Sequence, residues 1–345
     1  MKNHYLPFLT IILLVPGMLK AQDPQFSQFY SAPLYVNPAF AGTTPEHRII
    51  ANTRIQWPSL PNSFVTHAVS YDFNMQDLNS GIGLLVTKDQ AGQTSLSSTS
   101  AGLSYAYNAR LNKQWVFKPA LYFGYVIRDV DFGNIILGDQ LDARDPTSVV
   151  SIDPAISTIE NTQYLDLGTG FLFYNGNSWF GVSALHLNRP NQSFIEGDSP
   201  LPIRYSVHGG VRMTLGKKSV FKDIKFGSFT PAFAYKRQGE FEQLDVGVNF
   251  HYDPIVVGLW YRGIPISSVQ SITDQDALVF LIGVNFRNFE FVYSYDFNVS
   301  KLAADSGGSH EFSLIYRFTI PHKPGKLKKK DKVPMCPAFN PLSKG

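Results

Sequence analysis

His310-Glu311-Phe312-Ser313-Leu314-Ile315-Tyr316-Arg317-Phe318-Thr319-Ile320 changes polarity at nearly every residue. Phe312, Leu314, Tyr316, Phe318 and Ile320 share one parity. Glu311, Ser313, Arg317 and Thr319 share the other. Successive side chains of an extended chain point to opposite faces, so this is a strand with one apolar and one polar face. The stretch before it repeats the pattern. Phe289, Phe291, Tyr293, Tyr295 and Phe297 alternate with Glu290, Ser294, Asp296 and Asn298. In 241–252, Leu244, Val246, Val248, Phe250 and Tyr252 alternate with Gln243, Asp245, Gly247, Asn249 and His251.

Carried along the chain, the period predicts strands at 48–57, 64–74, 81–90, 97–108, 115–128, 163–174, 178–187, 203–215, 228–238, 241–252, 255–263, 276–287, 289–298 and 310–320. Lengths near ten residues suit a tilted strand that crosses a bilayer. A soluble sandwich also alternates, but so many strands with aromatic edges exceed what two small packed sheets need. The fold class expected is all-β, a transmembrane antiparallel β-barrel of about fourteen strands with apolar residues outward and polar residues inward. A charge on the lipid face at mid-depth costs roughly 2–4 kcal/mol, which keeps charges on one parity. The inward parity is therefore expected to tolerate charge, including Arg at Gln243 or Asn249. Arg204, His208 and Arg212 share the inner face of their strand and are a candidate anion site or partners of inner carboxylates. Trp57, Trp115, Tyr174, Trp179, Tyr252, Trp260 and Tyr261 lie near strand ends and are expected to form interfacial girdles.

Connections give an independent test. Those after even-numbered strands are mostly short, as at 175–177, 253–254 and 287–288. Those after odd-numbered strands are mostly long, as at 129–162, 188–202, 264–275 and 299–309. Barrels of this kind keep short turns in the periplasm and long loops outside, so both termini are expected in the periplasm.

Composition agrees. The 345 residues are 44% hydrophobic and 14% aromatic but only 17% charged, below the quarter or so common in soluble domains. Mean hydropathy is −0.08, too low for a bundle of membrane helices. A formal net charge of +3 gives no reason to expect a nucleic-acid partner. Residues 1–21 have a weakly basic start, the apolar run Leu6–Val15, and Ala21 at the expected cleavage point. They read as a secretory signal.

Two segments fall outside the predicted wall. Residues 22–47 carry Phe26, Phe29, Tyr30, Asn37 and Pro38 without sustained alternation. Two readings fit: a plug in the periplasmic mouth, or a periplasmic arm that binds a partner. Residues 321–345 include Lys326, Lys328, Lys329 and Lys330, punctuated by prolines. This basic tail is either a solvated end or a docking strip for an acidic partner or anionic headgroups. The sequence shows no catalytic or metal signature, and no cofactor is expected. Asp139, Asp142, Asp145 and Asp153 match no calcium-loop spacing. Ser309 and His310 are adjacent on a strand and face opposite ways. Cys336 is the only cysteine, so no internal disulfide exists.

Gln22-Asp23-Pro24-Gln25-Phe26-Ser27-Gln28-Phe29-Tyr30 and Pro33-Leu34-Tyr35-Val36-Asn37-Pro38-Ala39-Phe40-Ala41-Gly42 resemble the N-terminal signature of the PorP/SprF family of Bacteroidetes outer-membrane proteins. Ser294-Tyr295-Asp296-Phe297-Asn298 and Gly307-Gly308-Ser309-His310-Glu311-Phe312-Ser313-Leu314 resemble its last two strands. The resemblance runs from Gln22 to about Ile320. It implies a non-enzymatic component of the type IX secretion and gliding machinery. Its partners would be secreted adhesins or other cargo, periplasmic or wall-linked secretion proteins, and outer-membrane lipid. A diffusion porin or small-solute transporter is the alternative.

Overall fold

A computed structural model of the chain describes residues 23–28, 31–60, 63–91, 96–130, 161–195, 197–215, 227–263, 277–299, 307–320 and 334–338. The wall is one antiparallel sheet: β1 His47–Gln56, β2 Phe64–Met75, β3 Ser80–Ala91, β4 Leu96–Tyr107, β5 Ala109–Arg110, β6 Val116–Asp129, β7 Thr162–Tyr174, β8 Ser178–Leu185, β9 Arg204–Val211, β10 Met213–Leu215, β11 Gly227–Gln238, β12 Phe241–Tyr252, β13 Ile255–Gly263, β14 Ala277–Phe286, β15 Phe289–Asn298 and β16 Ser309–Phe318. β5 continues β4 along β6 in unbroken register, since Ala106 pairs with Ala120 and Ala109 with Phe117. β10 continues β9 along β11 in the same way, with Gly210 opposite Ala232 and Met213 opposite Phe229. Sixteen segments thus make fourteen wall strands. β1 pairs with β16 from His47–Phe318 to Gln56–Ser309, which closes the barrel and leaves no free edge.

The period-2 pattern sets the faces. On β6, Lys118, Ala120, Tyr122 and Val126 are buried in the lumen, while Leu121, Phe123, Tyr125 and Ile127 are exposed. β15 and β12 follow the same rule: Glu290, Ser294 and Asp296, like Gln243, Asp245 and Asn249, point inward. Two-residue turns at 253–254 and 287–288 lie at the end where β1 begins and β16 finishes. The strand ends Asp129 and Thr162, Leu185 and Arg204, and Gly263 and Ala277, which flank three of the longer connections, lie at the other end, whereas Leu215 and Gly227, which flank 216–226, lie at the short-turn end.

The lumen is packed. Its hydrophobic cluster joins wall residues Leu85, Val116, Ala120, Leu172, Tyr174, Trp179 and Trp260 to Leu34, Tyr35, Val36 and Phe40. This corrects the girdle expectation for three aromatics. Tyr174, Trp179 and Trp260 are on the inward parity and 1–5% exposed. They face the lumen because its filling is apolar there. Tyr252 is outward and exposed.

The expected polar tolerance of Gln243 and Asn249 also changes. Gln243 donates to Asp245 at 2.7 Å and Asn249 accepts from Trp260 Nε1 at 3.0 Å, so both sit in packed structure. Pro334–Ala338 are not a solvated end: Cys336 is buried in the luminal cluster with Ala338 against it. Burial pushes its thiol up to about 12.

Candidate functional site in the lumen

The segment before β1 runs the length of the barrel interior. It does not cap one mouth. Asp23 is at the long-loop end and Gly42 at the short-turn end. The wall itself begins at His47 and ends at Phe318, both at the short-turn end. The described chain, however, starts at the opposite end. The cause is a set of charged partners waiting there for Asp23.

Arg204 Nη1 and His186 Nε2 lie 2.7 and 2.8 Å from Asp23 Oδ2. His186 Nδ1 is 2.9 Å from Asp166. The Asp23 amide donates to Gln238 Oε1 at 3.1 Å. Burial alone would raise the Asp23 carboxyl, but the charges of His186 and Arg204 outweigh it and hold the group well below the usual range. Burial alone would lower His186. The charge of Asp23, with hydrogen bonds to Asp166 and Asp23, instead lifts it to about 9. Arg204 also donates to the Tyr35 carbonyl at 2.9 Å and lies 4.4 Å from the centre of its ring.

Ser27 and Gln28 form the next level. Their amides donate to the Glu311 carboxylate at 2.6 and 3.2 Å. Ser27 Oγ donates to Asp296 at 2.5 Å. The Gln28 side chain donates to Ser294 Oγ at 3.0 Å and accepts from Ser313 Oγ at 2.8 Å. Arg54 lies 2.9 Å from Asp296, and Arg262 joins Asp296 to Asp245 at 3.0 and 2.9 Å. These inward charges neutralise one another, as buried charges must.

The centre of the segment is two short turns, α1 Pro33–Val36 and a 3-10 turn at Pro38–Phe40. Each opens on proline, whose fixed φ and missing N–H suit a first helical position. Asn37, extended at φ −154°, ψ 120°, separates them. Its Oδ1 accepts from the Ala39 amide at 2.9 Å. Its Nδ2 donates to the Phe171 and Val182 carbonyls at 3.1 and 3.2 Å and faces His208 Nε2 at 3.1 Å. One side chain thereby ties the segment to β7, β8 and β9. Phe26 packs edge-on to Tyr35 at 5.1 Å, and Phe40 lies 4.9 Å from the His208 ring.

At the short-turn end, Gly42 has φ +63° and donates to Asp72 Oδ2 at 2.8 Å. Asp72 is held by Arg48 at 2.8 Å. The Gly42 carbonyl accepts from Asn74 Nδ2 at 3.0 Å and Lys118 Nζ at 3.2 Å. A Cβ at Gly81 on β3 would come within 2.1 Å of the Ala41 carbonyl. The Ala-Gly step of the signature thus needs bare backbone on both sides.

Phe26, Asn37 and Pro38 therefore lie inside the barrel. Phe29, Tyr30, Lys326, Lys328, Lys329 and Lys330 fall outside the described residues, as do Asp139, Asp142, Asp145 and Asp153. Arg204 and His208 do not join in an anion site. The first is taken by Asp23 and the second by Asn37. Sequence reasoning missed the roles of Asp23, His186 and Glu311. Only the long-range partners mark them, with Ser27 and Glu311 284 residues apart.

A closed barrel whose lumen holds the chain's own N-terminal segment defines an outer-membrane β-barrel protein. The family described as type IX secretion system membrane protein PorP/SprF matches residues 18–316, and the chain belongs to it. No curated protein matches the sequence. Among solved structures, the barrel is similar to CdiB from Acinetobacter baumannii, at 8% identity and TM-score 0.42 over 80% of this chain and 60% of that one. The Ralstonia pickettii toluene transporter TbuX is similar at 10% identity and TM-score 0.44, covering 84% of this chain and 94% of the other. The P. putida toluene transporter TodX gives 8%, TM-score 0.45, 84% and 95%. The chain spans less than two thirds of CdiB.

Proposed function

We propose that this protein is a non-enzymatic barrel that helps export large secreted proteins or holds them at the cell surface. Adhesins are the cargo class that the family resemblance suggests. In this reading the long loops and long-loop mouth meet cargo outside the cell. The short turns and the basic tail that holds Lys326–Lys330 meet periplasmic or wall-linked secretion proteins. The N-terminal segment acts as a plug. The observation that carries the reading is the luminal packing of Asp23–Gln28 and Ser31–Gly42, anchored from one mouth to the other. A diffusion pore has no use for a lumen filled by its own chain, whereas a rigid platform does.

Deleting the gene and comparing the surface proteome with planar-bilayer conductance of the purified barrel tests this. Loss of one or more surface proteins with negligible wild-type conductance is the expected result. Intact surface proteins together with steady conductance would favour the solute-channel reading.

A further inference from the structure

Four neighbouring side chains on the lumen wall near the short-turn mouth each carry a buried polar atom without a hydrogen-bond partner among the described residues. The atoms are Arg212 Nε, Ser228 Oγ, Thr230 Oγ1 and His251 Nδ1. Ser228 is 0% exposed and Thr230 4%. All four can donate a hydrogen bond, His251 in the tautomer that carries its proton on Nδ1. Burying such groups unpaired is costly, so a patch that gathers them keeps a place for an acceptor.

The strand register brings them together. His251 on β12 stands directly opposite Ser228 on β11. Arg212 joins β9 to β10, whose unbroken register along β11 sets it opposite Thr230. Ser228 and Thr230 are two residues apart and share the inward face of β11. Opposed residues of antiparallel strands have Cα atoms roughly 4.5–5.5 Å apart, and same-face neighbours along one strand roughly 7 Å. Long side chains at the two outer corners can therefore lean over the two hydroxyls between them. The charge of Arg212 is felt at His251, which places the guanidinium and the ring in one neighbourhood. The Arg212 amide donates to the Asn177 carbonyl at 2.6 Å, which fixes its backbone against the 175–177 turn.

The wall supplies no anion to this patch. Glu290 acts on Arg212 and His251 from a distance, but its carboxylate is bound by Arg317 at 2.7 Å. Cys336 is near Arg212, but burial keeps its thiol protonated. Asp245, deeper on β12, is taken by Arg262 at 2.9 Å. Among the described residues Arg212 has no carboxylate within ion-pair distance.

We propose that Arg212, Ser228, Thr230 and His251 bind one phosphate group. A carboxylate has two oxygens and is matched by a single fork of donors. Donors from three adjacent strands suit a tetrahedral group with three or more acceptor oxygens, and a guanidinium among them supplies the charge. The phosphate is either a free ion or the end group of a phosphomonoester. The proposal rests on the barrel wall and is independent of the secretion reading.

Phosphorus NMR titration of the full-length protein, in phosphate-free detergent, tests it. The probes are inorganic phosphate and glycerol 3-phosphate, with acetate as competitor. Saturable phosphate binding is expected, with acetate at least tenfold weaker. Glycerol phosphate as tight as phosphate assigns the site to a phosphomonoester, and tenfold weaker binding assigns it to the free ion. Arg212→Gln should weaken phosphate binding at least tenfold. Thr230→Val, which removes one hydroxyl and keeps the shape, should weaken it a few-fold. Arg237→Gln, at an exposed pair with Glu242 near the other mouth, should change nothing. Heat-modifiable gel mobility checks folding, and Thr230→Val decides if Arg212→Gln does not fold. No saturable phosphate binding, acetate binding as tight as phosphate, or unchanged affinity in either folded site variant overturns the site. So does an equal loss in Arg237→Gln.

Discussion

Asn37 is the residue on which the luminal segment turns. It spends both amide hydrogens and its oxygen on partners from the wall and from its own turn. Asn37→Ala removes these and should lower stability by about 2–3 kcal/mol, the usual scale for leaving buried polar groups unpaired. Asn37→Asp should be worse despite its equal size, because it sets a carboxylate against two carbonyls. Thermal midpoints of the folded-to-unfolded gel shift would rank the two. Equal midpoints would refute the hub.

At the other anchor, His186 is lifted from 6.5 to about 9. A raised group stabilises fully below its unfolded value and loses that contribution as pH climbs through about 9. Asp23 is depressed below 3.8, so its contribution is present above that value and lost as pH falls toward the folded one. The clamp should therefore be tightest between 3.8 and 6.5. Hydrogen exchange at Gln25–Gln28, corrected for its intrinsic pH dependence, should rise in the wild type as His186 deprotonates. His186→Gln should be loose throughout and show no such step.

Strands were legible in the sequence because alternation is a local property. The predicted 241–252, 255–263 and 289–298 coincide with β12, β13 and β15, and the face of every residue on β15 follows from parity. What parity could have corrected is the aromatics. Trp179 and Trp260 fall on the inward face of β8 and β13, a fact that position near a strand end obscures. What no local pattern could reveal is that the inward face is dry in places, since that depends on a segment far away in sequence.

This sharpens an expectation about charge. Arg at Leu244, Val248 or Phe291 should block insertion into lipid vesicles, because each faces the membrane, at a cost of roughly 2–4 kcal/mol near mid-depth. Arg at Asn249 should insert yet unfold at lower temperature. Asn249 Oδ1 holds Trp260 Nε1 and already fills the space above Gly258. Equal insertion yields for the two sets would refute the face assignment. An unchanged midpoint for Asn249→Arg would refute the packed lumen.

At the scale of the whole molecule, the barrel and its contents are two layers of one core. A barrel of about fourteen strands encloses more space than its own wall side chains fill. Here the signature segment supplies the missing volume, with Pro33 and Pro38 opening its two turns and Gly42 at φ +63° ending it. The wall in turn keeps Arg54, Arg262, Asp245, Asp296 and Glu311 in a buried network that also takes Ser27.

Removing residues 24–42 would leave those charges facing water, in which they remain stable, but would strip Leu85, Leu172 and Trp179 of their partners. The deletion should thus yield a barrel that still inserts, because its lipid face and strand closure are untouched, but melts earlier. Its single-channel conductance should rise from near zero to that of an open pore. Restoring the segment as a separate peptide should lower conductance again, with Asn37→Ala peptide less effective. A folded deletion barrel that stays closed would rule out the segment as the plug.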